Sequence, residues 1–454
     1  MKRYLTLLAL ILATQNTNAQ IGPFGGGDGY SEATSYELYT KQHIEELADS
    51  VITEQNTWSE GKYFKVMNDI SDQVVTVIGS SSHPFKGNFD GQNYTITLAI
   101  NDPNVTAIGL FGYANNSIIK NIVLDGTIEQ NMSNNYYVIG GIVGHSYLST
   151  ISNCINNADV TSICSSYVGG IVGYSTLDTI SGCSNYGNVT NMYSDMYTLN
   201  GRSAGGIVGY SSATAILDCR NYGNIADMDV NGRGAGGISG VHYSSSISNC
   251  SNYGNITSDG SYVGGIIGTV FYVYGAISDC INSGNIQGRT SIGGIVGNNW
   301  ATDVFDCVNS GKIEGENYIG GIGGTFRNYG GDVLIYGCIN TGFIIGSNSH
   351  TGGVAGNISN HTFSYLFYSI ILENCLNTGD VKGSVNVGGI TGIIDEQRSS
   401  ITITNCINTG FIIGNIYKGG IVGYDNGGTI ENCINTGVIE GQIGTTGAIS
   451  GKED

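Results

Sequence analysis

The sequence predicts an all-β fold: a parallel β-helix, or solenoid, of about eleven coils of roughly 30 residues each, preceded by a small N-terminal capping region. Three observations predict it. A motif recurs ten times at nearly constant spacing, the chain holds 72 glycines but only 3 prolines, and short β-branched runs alternate with glycine or Asn-x-Gly turns. A collagen-like helix needs a strict Gly-X-Y period with abundant proline, so this glycine belongs to tight turns in a packed structure. Hydrophobic residues at 40% against charged residues at 12% argue against disorder.

From the N-terminus, Met1-Lys2-Arg3 carries positive charge, Tyr4 to Ala13 is apolar, and a polar stretch ends in Thr17-Asn18-Ala19. That order predicts a signal peptide over residues 1–19 and export, hence a secreted or loosely surface-associated chain. The apolar run is about half of what spans a bilayer, so no membrane span is expected after cleavage. Losing Lys2 and Arg3 takes the formal charge from −19 to −21, which argues against nucleic acid or an anionic membrane as partner. Residues 20–107 are expected to cap the solenoid, with a short helix from Thr40 (its N-cap) to Val51 followed by the first strands. Gly109 to Ile128 forms the first full coil, with Ile122 where later copies place cysteine.

The repeats occupy residues 108–446, and 447–454 form a tail. Each copy opens with Gly-Gly-aliphatic-x-Gly and reaches a cysteine: Cys154, Cys183, Cys219, Cys250, Cys280, Cys307, Cys338, Cys375, Cys406 and Cys433. An aliphatic residue stands three before it, and asparagine two after: Asn156, Asn185, Asn221, Asn252, Asn282, Asn309, Asn340, Asn377, Asn408 and Asn435. Val or Ile stands six after, and glycine four after in all but Ala158. One coil buries about four aliphatic side chains, at roughly 1.5–3 kcal/mol each. Ordering its backbone costs on the order of 1 kcal/mol per residue. A coil is therefore stable only stacked on its neighbours at ~4.8 Å, in parallel register, giving a rod roughly 50 Å long. Parallel crossovers favour right-handed winding.

In such a stack the asparagines form an amide ladder satisfying turn backbone groups. The cysteines, one per coil with near-parallel Cβ atoms about 4.8 Å apart, suit a ladder of reduced buried thiols better than disulfides, which need convergence to about 3.8 Å. Cys164 lies off the column. Zinc would need paired short spacings, which are absent, and no cofactor is called for.

Gly169-Gly170-Ile171-Val172-Gly173-Tyr174 and Gly419-Gly420-Ile421-Val422-Gly423-Tyr424, each followed by Thr-Ile-x-x-Cys and Asn-x-Gly, resemble the GLUG-motif repeats of bacterial surface and secreted proteins. Those include adhesins and IgA-cleaving metallopeptidases, and the resemblance runs from about Gly109 to Gly441. It implies the solenoid and a surface role, while the peptidase activity resides in a separate domain. The zinc motif His-Glu-x-x-His is not in the sequence, and His43-Ile44-Glu45 is no substitute.

Two function classes remain. A non-catalytic adhesion or scaffold module would bind host or matrix glycoprotein or polysaccharide. Its candidate contacts are Phe363, Tyr365, Phe367 and Tyr368 in the longest insertion, and Tyr186, Tyr222 and Tyr253, one residue after the asparagine column. The interval from first glycine to cysteine is 14 residues in six copies but 16, 18, 23 and 18 before Cys280, Cys338, Cys375 and Cys406, so one corner is enlarged repeatedly. Per-repeat insertions of this kind map to one face of a solenoid, often the binding face. The alternative is a polysaccharide lyase or glycosidase, which requires paired carboxylates, or a carboxylate with Lys or Arg. Asp218, Asp279 and Asp306 precede column cysteines, but asparagine fills that place at Asn153, Asn249, Asn374, Asn405 and Asn432, as suits an exchangeable exposed or turn position.

Overall fold

A computed structural model describes residues 23–452 except 55, 103–104, 132–136, 164–166, 193–201, 272–274, 329–330, 360–367, 396–399 and 442–443. The predicted leader and Cys164 lie outside the described residues. The chain is a parallel β-solenoid of about 12 turns at ~31 residues per turn. Among the described residues three parallel sheets run along it: one of 14 strands, from Tyr36–Leu38 to Thr429–Glu431, one of 11 strands, from Phe111–Asn115 to Val422–Asn426, and one of 33. Register is kept residue on residue, as in Ile151↔Ile180, Ile180↔Ile216 and Ile216↔Ile247. Each inward file is thus the same motif position in successive coils.

The N-terminal region supplies rungs of its own, which accounts for the turn beyond the eleven expected. Phe64 pairs with Tyr36 and with Phe89, and Phe89 pairs with Ile119, so the 14-stranded sheet begins well before the repeats. Here Phe85 and Phe89 pack on Phe111, with centroids 4.9 and 5.2 Å apart, filling the interior with rings where later coils use aliphatics. Helix α1 (Lys41–Thr53) lays Ile44, Leu47, Ala48 and Val51 over this end. Thr40 is its N-cap, Oγ1 accepting from the His43 N–H at 3.3 Å. Ile122 takes the place of the column cysteine, since Val123 pairs with Ile155, and it is fully buried.

The expected asparagine stack is present. Nine amide-to-amide hydrogen bonds of 2.7–2.9 Å link Asn156 through to Asn435, every Nδ2 donating to the Oδ1 of the next coil. Each Nδ2 also donates to a carbonyl two residues on, as Asn309 does to Gly311 at 3.0 Å. The first motif glycine pair accommodates this column. A Cβ on Gly294 would collide with the Gly321 carbonyl oxygen and with Asn309 Cγ.

All ten column cysteines are free, and nine are buried, Cys433 being half-buried. They are more than small hydrophobes. Cys307 Sγ donates to the Phe305 carbonyl at 3.2 Å and lies 3.8 Å from that of Ile277 in the preceding coil, and the other nine repeat the pattern. Burial pushes the Cys307 thiol well above its ordinary range.

Candidate functional site

The residue before each column cysteine has a left-handed backbone, with φ of 50–55° at Asn153, Asp218, Asn249, Asp279, Asp306, Asn374, Asn405 and Asn432 and 64–68° at Gly182 and Gly337. Asn, Asp and Gly tolerate this region best. The alternation of Asp and Asn is thereby a backbone requirement, and Asp218 accepts a hydrogen bond from Asn249 Nδ2 of the next turn. Asp279 and Asp306 hold this place in two consecutive turns.

Other polar groups of catalytic type are enclosed. His242 Nδ1 lies 2.7 Å from Ser211 Oγ, and its Nε2 lies 3.0 Å from the Ser245 carbonyl, so Nε2 carries the proton and the ring is neutral. Burial pushes its pKa down to about 4. With Ser211 and His242 no more than 1% exposed, no substrate reaches the pair. Asp178, buried, accepts from Ser175 Oγ at 2.5 Å and from the Ser149 N–H at 2.7 Å, and burial raises it to about 6 despite those bonds. Asp227 is raised to about 7 by burial, then by Asp229, and accepts from Asn191 Nδ2 at 3.0 Å. Asp229 pairs with the buried Arg202 at 3.7 Å. Among the described residues no group of three or more His, Cys, Asp or Glu could hold a metal ion.

A cleft of about 230 Å³ opens at the N-terminal end, lined among others by Glu32, Tyr63, Lys65, Asn88, Asp90 and Lys120. Its carboxylates are engaged: Lys120 Nζ lies 3.1 Å from Glu32 and 3.3 Å from Asp90.

Of the aromatic candidates, Phe363, Tyr365 and Phe367 fall outside the described residues. Tyr368 is half-buried, and its carbonyl accepts from Asn328 Nδ2 at 2.5 Å. Tyr186, Tyr222 and Tyr253 do form an exposed three-rung stripe, with centroids 4.5 and 4.9 Å apart and planes within 4° and 11°. Rings so arranged cover one another's faces. The stripe presents edges and hydroxyls, which suits hydrogen bonding better than the flat stacking of a sugar.

A longer aromatic ribbon crosses the 11-stranded sheet. It runs through Tyr113, His145, Tyr174 and Tyr210, then steps two residues along the strand to Tyr243, Phe271 and Trp300. Neighbouring centroids are 4.7–5.7 Å apart throughout. Arg327 closes it, 5.1 Å above Trp300. All eight side chains are partly exposed. Tyr174 and Tyr210 stack at 3°, whereas Tyr210–Tyr243 and Phe271–Trp300 are tilted by 34° and 38° and so leave ring face open. Burial raises the Tyr243 phenol, Arg233 opposing, so the hydroxyl stays a donor at neutral pH. The sequence signal was the sixth position of the Gly-Gly-Ile-Val-Gly-Tyr motif.

Fold and repeat together define a repetitive parallel β-solenoid. The GLUG motif itself matches residues 288–314, and the same positions recur in the other coils. A solved structure described as a "putative immunoglobulin A1 protease" from Bacteroides ovatus is similar over 70% of this chain and 79% of its own, at 18% identity and a TM-score of 0.34. Likeness of that degree says nothing about activity. No curated protein matches the chain. Among the described residues no helix is long and apolar enough to cross a membrane.

Proposed function

We propose that the chain is an exported, non-catalytic binding module, a stiff rod that presents side-chain ribbons to host or matrix glycoprotein or polysaccharide. The observation that carries this reading is the partly exposed ribbon from Tyr113 to Trp300, which spans eight coils counting Arg327 and holds no carboxylate among its members. Solenoids use such extended faces for binding. The ribbon offers hydroxyl donors and tilted rings to an extended, uncharged ligand, while the net charge of −19 disfavours an acidic one. The enlarged corner, with Phe363, Tyr365, Phe367 and Tyr368, is a second proposed contact.

The test is glycan-array and immobilised-glycoprotein binding by three proteins: the unaltered chain, a Tyr174→Ser/Trp300→Ala variant, and a deletion of residues 359–369. Both alterations are expected to leave the far-UV spectrum unchanged and to weaken attachment at least about tenfold, the loss of one or two anchoring aromatics. Undiminished attachment in both sinks the reading. So does release of unsaturated or reducing sugars from a polysaccharide panel, which supports a lyase or glycosidase instead.

A further inference from the structure

Eight residues past the column cysteine, the inward file of the earlier coils is polar: Ser162, Asn191, Asp227 and Ser258 stack in register, all buried. In later coils glycine takes this place, at Gly288, Gly315 and Gly346. The fold therefore does not need an acid here, and burying one is costly. Asp227 also opens a loop that the next coil lacks. From Ile225 to the first motif glycine, Gly236, is 11 residues, against 8 from Ile256 to Gly264. The loop reads Asp227-Met228-Asp229-Val230-Asn231-Gly232. An Asp-x-Asp-x-Asn-Gly run is how calcium loops begin, with oxygens at the first, third and fifth positions and glycine at the sixth for the sharp turn. The bidentate glutamate of the twelfth position is replaced by Ile238, so a further oxygen has to come from elsewhere.

The preceding coil holds one ready. Asn191 Nδ2 donates to Asp227 Oδ1 at 3.0 Å, which fixes the amide against the carboxylate. Asn191 Oδ1, on the same fully buried amide, has no hydrogen-bond partner among the described residues. A buried acceptor left in that state is costly beside a carboxylate and calls for an electropositive neighbour. Asp227 and Asp229 are 2% and 1% exposed, and Gly232 lets the loop close over them, since a Cβ there would lie 3.0 Å from Asp227 Oδ2. The Asn231 N–H donates to Asp229 Oδ1 at 2.9 Å, holding the fifth loop position at the outer side. Against two buried carboxylates stands one guanidinium, Arg202, 3.7 Å from Asp229. Arg233 is turned to Tyr243 instead. One negative charge is left without compensation.

We propose that this corner binds one calcium ion, through the carboxylates of Asp227 and Asp229 and the amide oxygens of Asn191 and Asn231. Calcium accepts such a mixed oxygen set because its geometry is flexible, whereas magnesium demands a near-ideal octahedron and keeps its waters. Zinc prefers nitrogen and sulfur, which the corner does not offer. Only two of the four ligands are acidic, and Arg202 opposes the ion. The affinity is accordingly weak, with a dissociation constant of roughly 0.1–1 mM.

Calorimetric titration of the full chain with calcium chloride, after removal of metal by a chelator, tests this. One ion per chain is expected. Calcium at ten times its dissociation constant should raise the folding equilibrium constant about elevenfold, read as a higher urea midpoint. Asp227→Asn, which keeps the side-chain shape, and Asn231→Ala, at an exposed position, should each weaken calcium binding at least about tenfold. Near neutral pH the Asp227→Asn variant should be the more stable protein in chelator, and calcium should narrow that gap by stabilising the unaltered chain alone. Magnesium at the same concentration should change neither heat nor midpoint. Absence of calcium binding, undiminished binding in either variant, or an equal response to magnesium would overturn the proposal.

Discussion

Asn309 carries three hydrogen bonds of the amide ladder: it donates to Gly311 and Asn340 and accepts from Asn282. Asn309→Ala strands three buried polar groups and is expected to cost about 3 kcal/mol or more, read as a lowered urea midpoint. Asn435→Ala, at the partly exposed last rung, should cost clearly less. Asp227 makes an opposite kind of prediction. Its pKa is raised in the folded chain to about 7 from the 3.8 usual for aspartate, so folding is favoured by the protonated form. The associated stability is fully present below about pH 4 and is lost as pH rises through 7, at about 1.4 kcal/mol for each pH unit between those two values. Asp227→Asn should therefore match the unaltered chain near pH 4 and exceed it increasingly up to pH 8, in paired denaturation curves. His242, held near 4, has the reverse slope, losing its contribution as pH falls from 6.5 towards 4.

Within the coil, burial sets chemical access. Cys433, half-buried, is expected to react with iodoacetamide well before the nine enclosed column thiols, as peptide mass spectrometry would show. Gly294→Ala forces a methyl into the carbonyl of Gly321 and the amide of Asn309, and is expected to prevent that coil from stacking, seen as loss of soluble folded protein. The cysteine file, the asparagine file and the turn residues were legible in the sequence because each position is written ten times over. The aromatic ribbon was not, since it changes column between Tyr210 and Tyr243 and a search down either column finds only half of it. The exposed Phe343 and Phe411 escaped for a different reason: they are ordinary strand residues, and only their exposure, set by alternation across the Asn-x-Gly segment, distinguishes them from core side chains. The Asp file before the cysteines was readable as an exposed or turn position, but the left-handed backbone that explains it needs coordinates.

For the molecule as a rod, interior and exterior follow separate rules: the inward files are nearly invariant along the axis, while the outward ones change character midway. Stability then approximates a sum of coil and neighbour terms, so the effect of Asn309→Ala should be local, and hydrogen exchange should rise around the altered coil before the far end. The direction of the hydrogen bonds has a further, mechanical outcome. Backbone and amide bonds alike point along the long axis, so tension applied to the two ends loads successive coils in series rather than shearing many bonds together. Pulled in this way, the rod should unspool one turn at a time, each event releasing ~31 residues, on the order of 100 Å of chain.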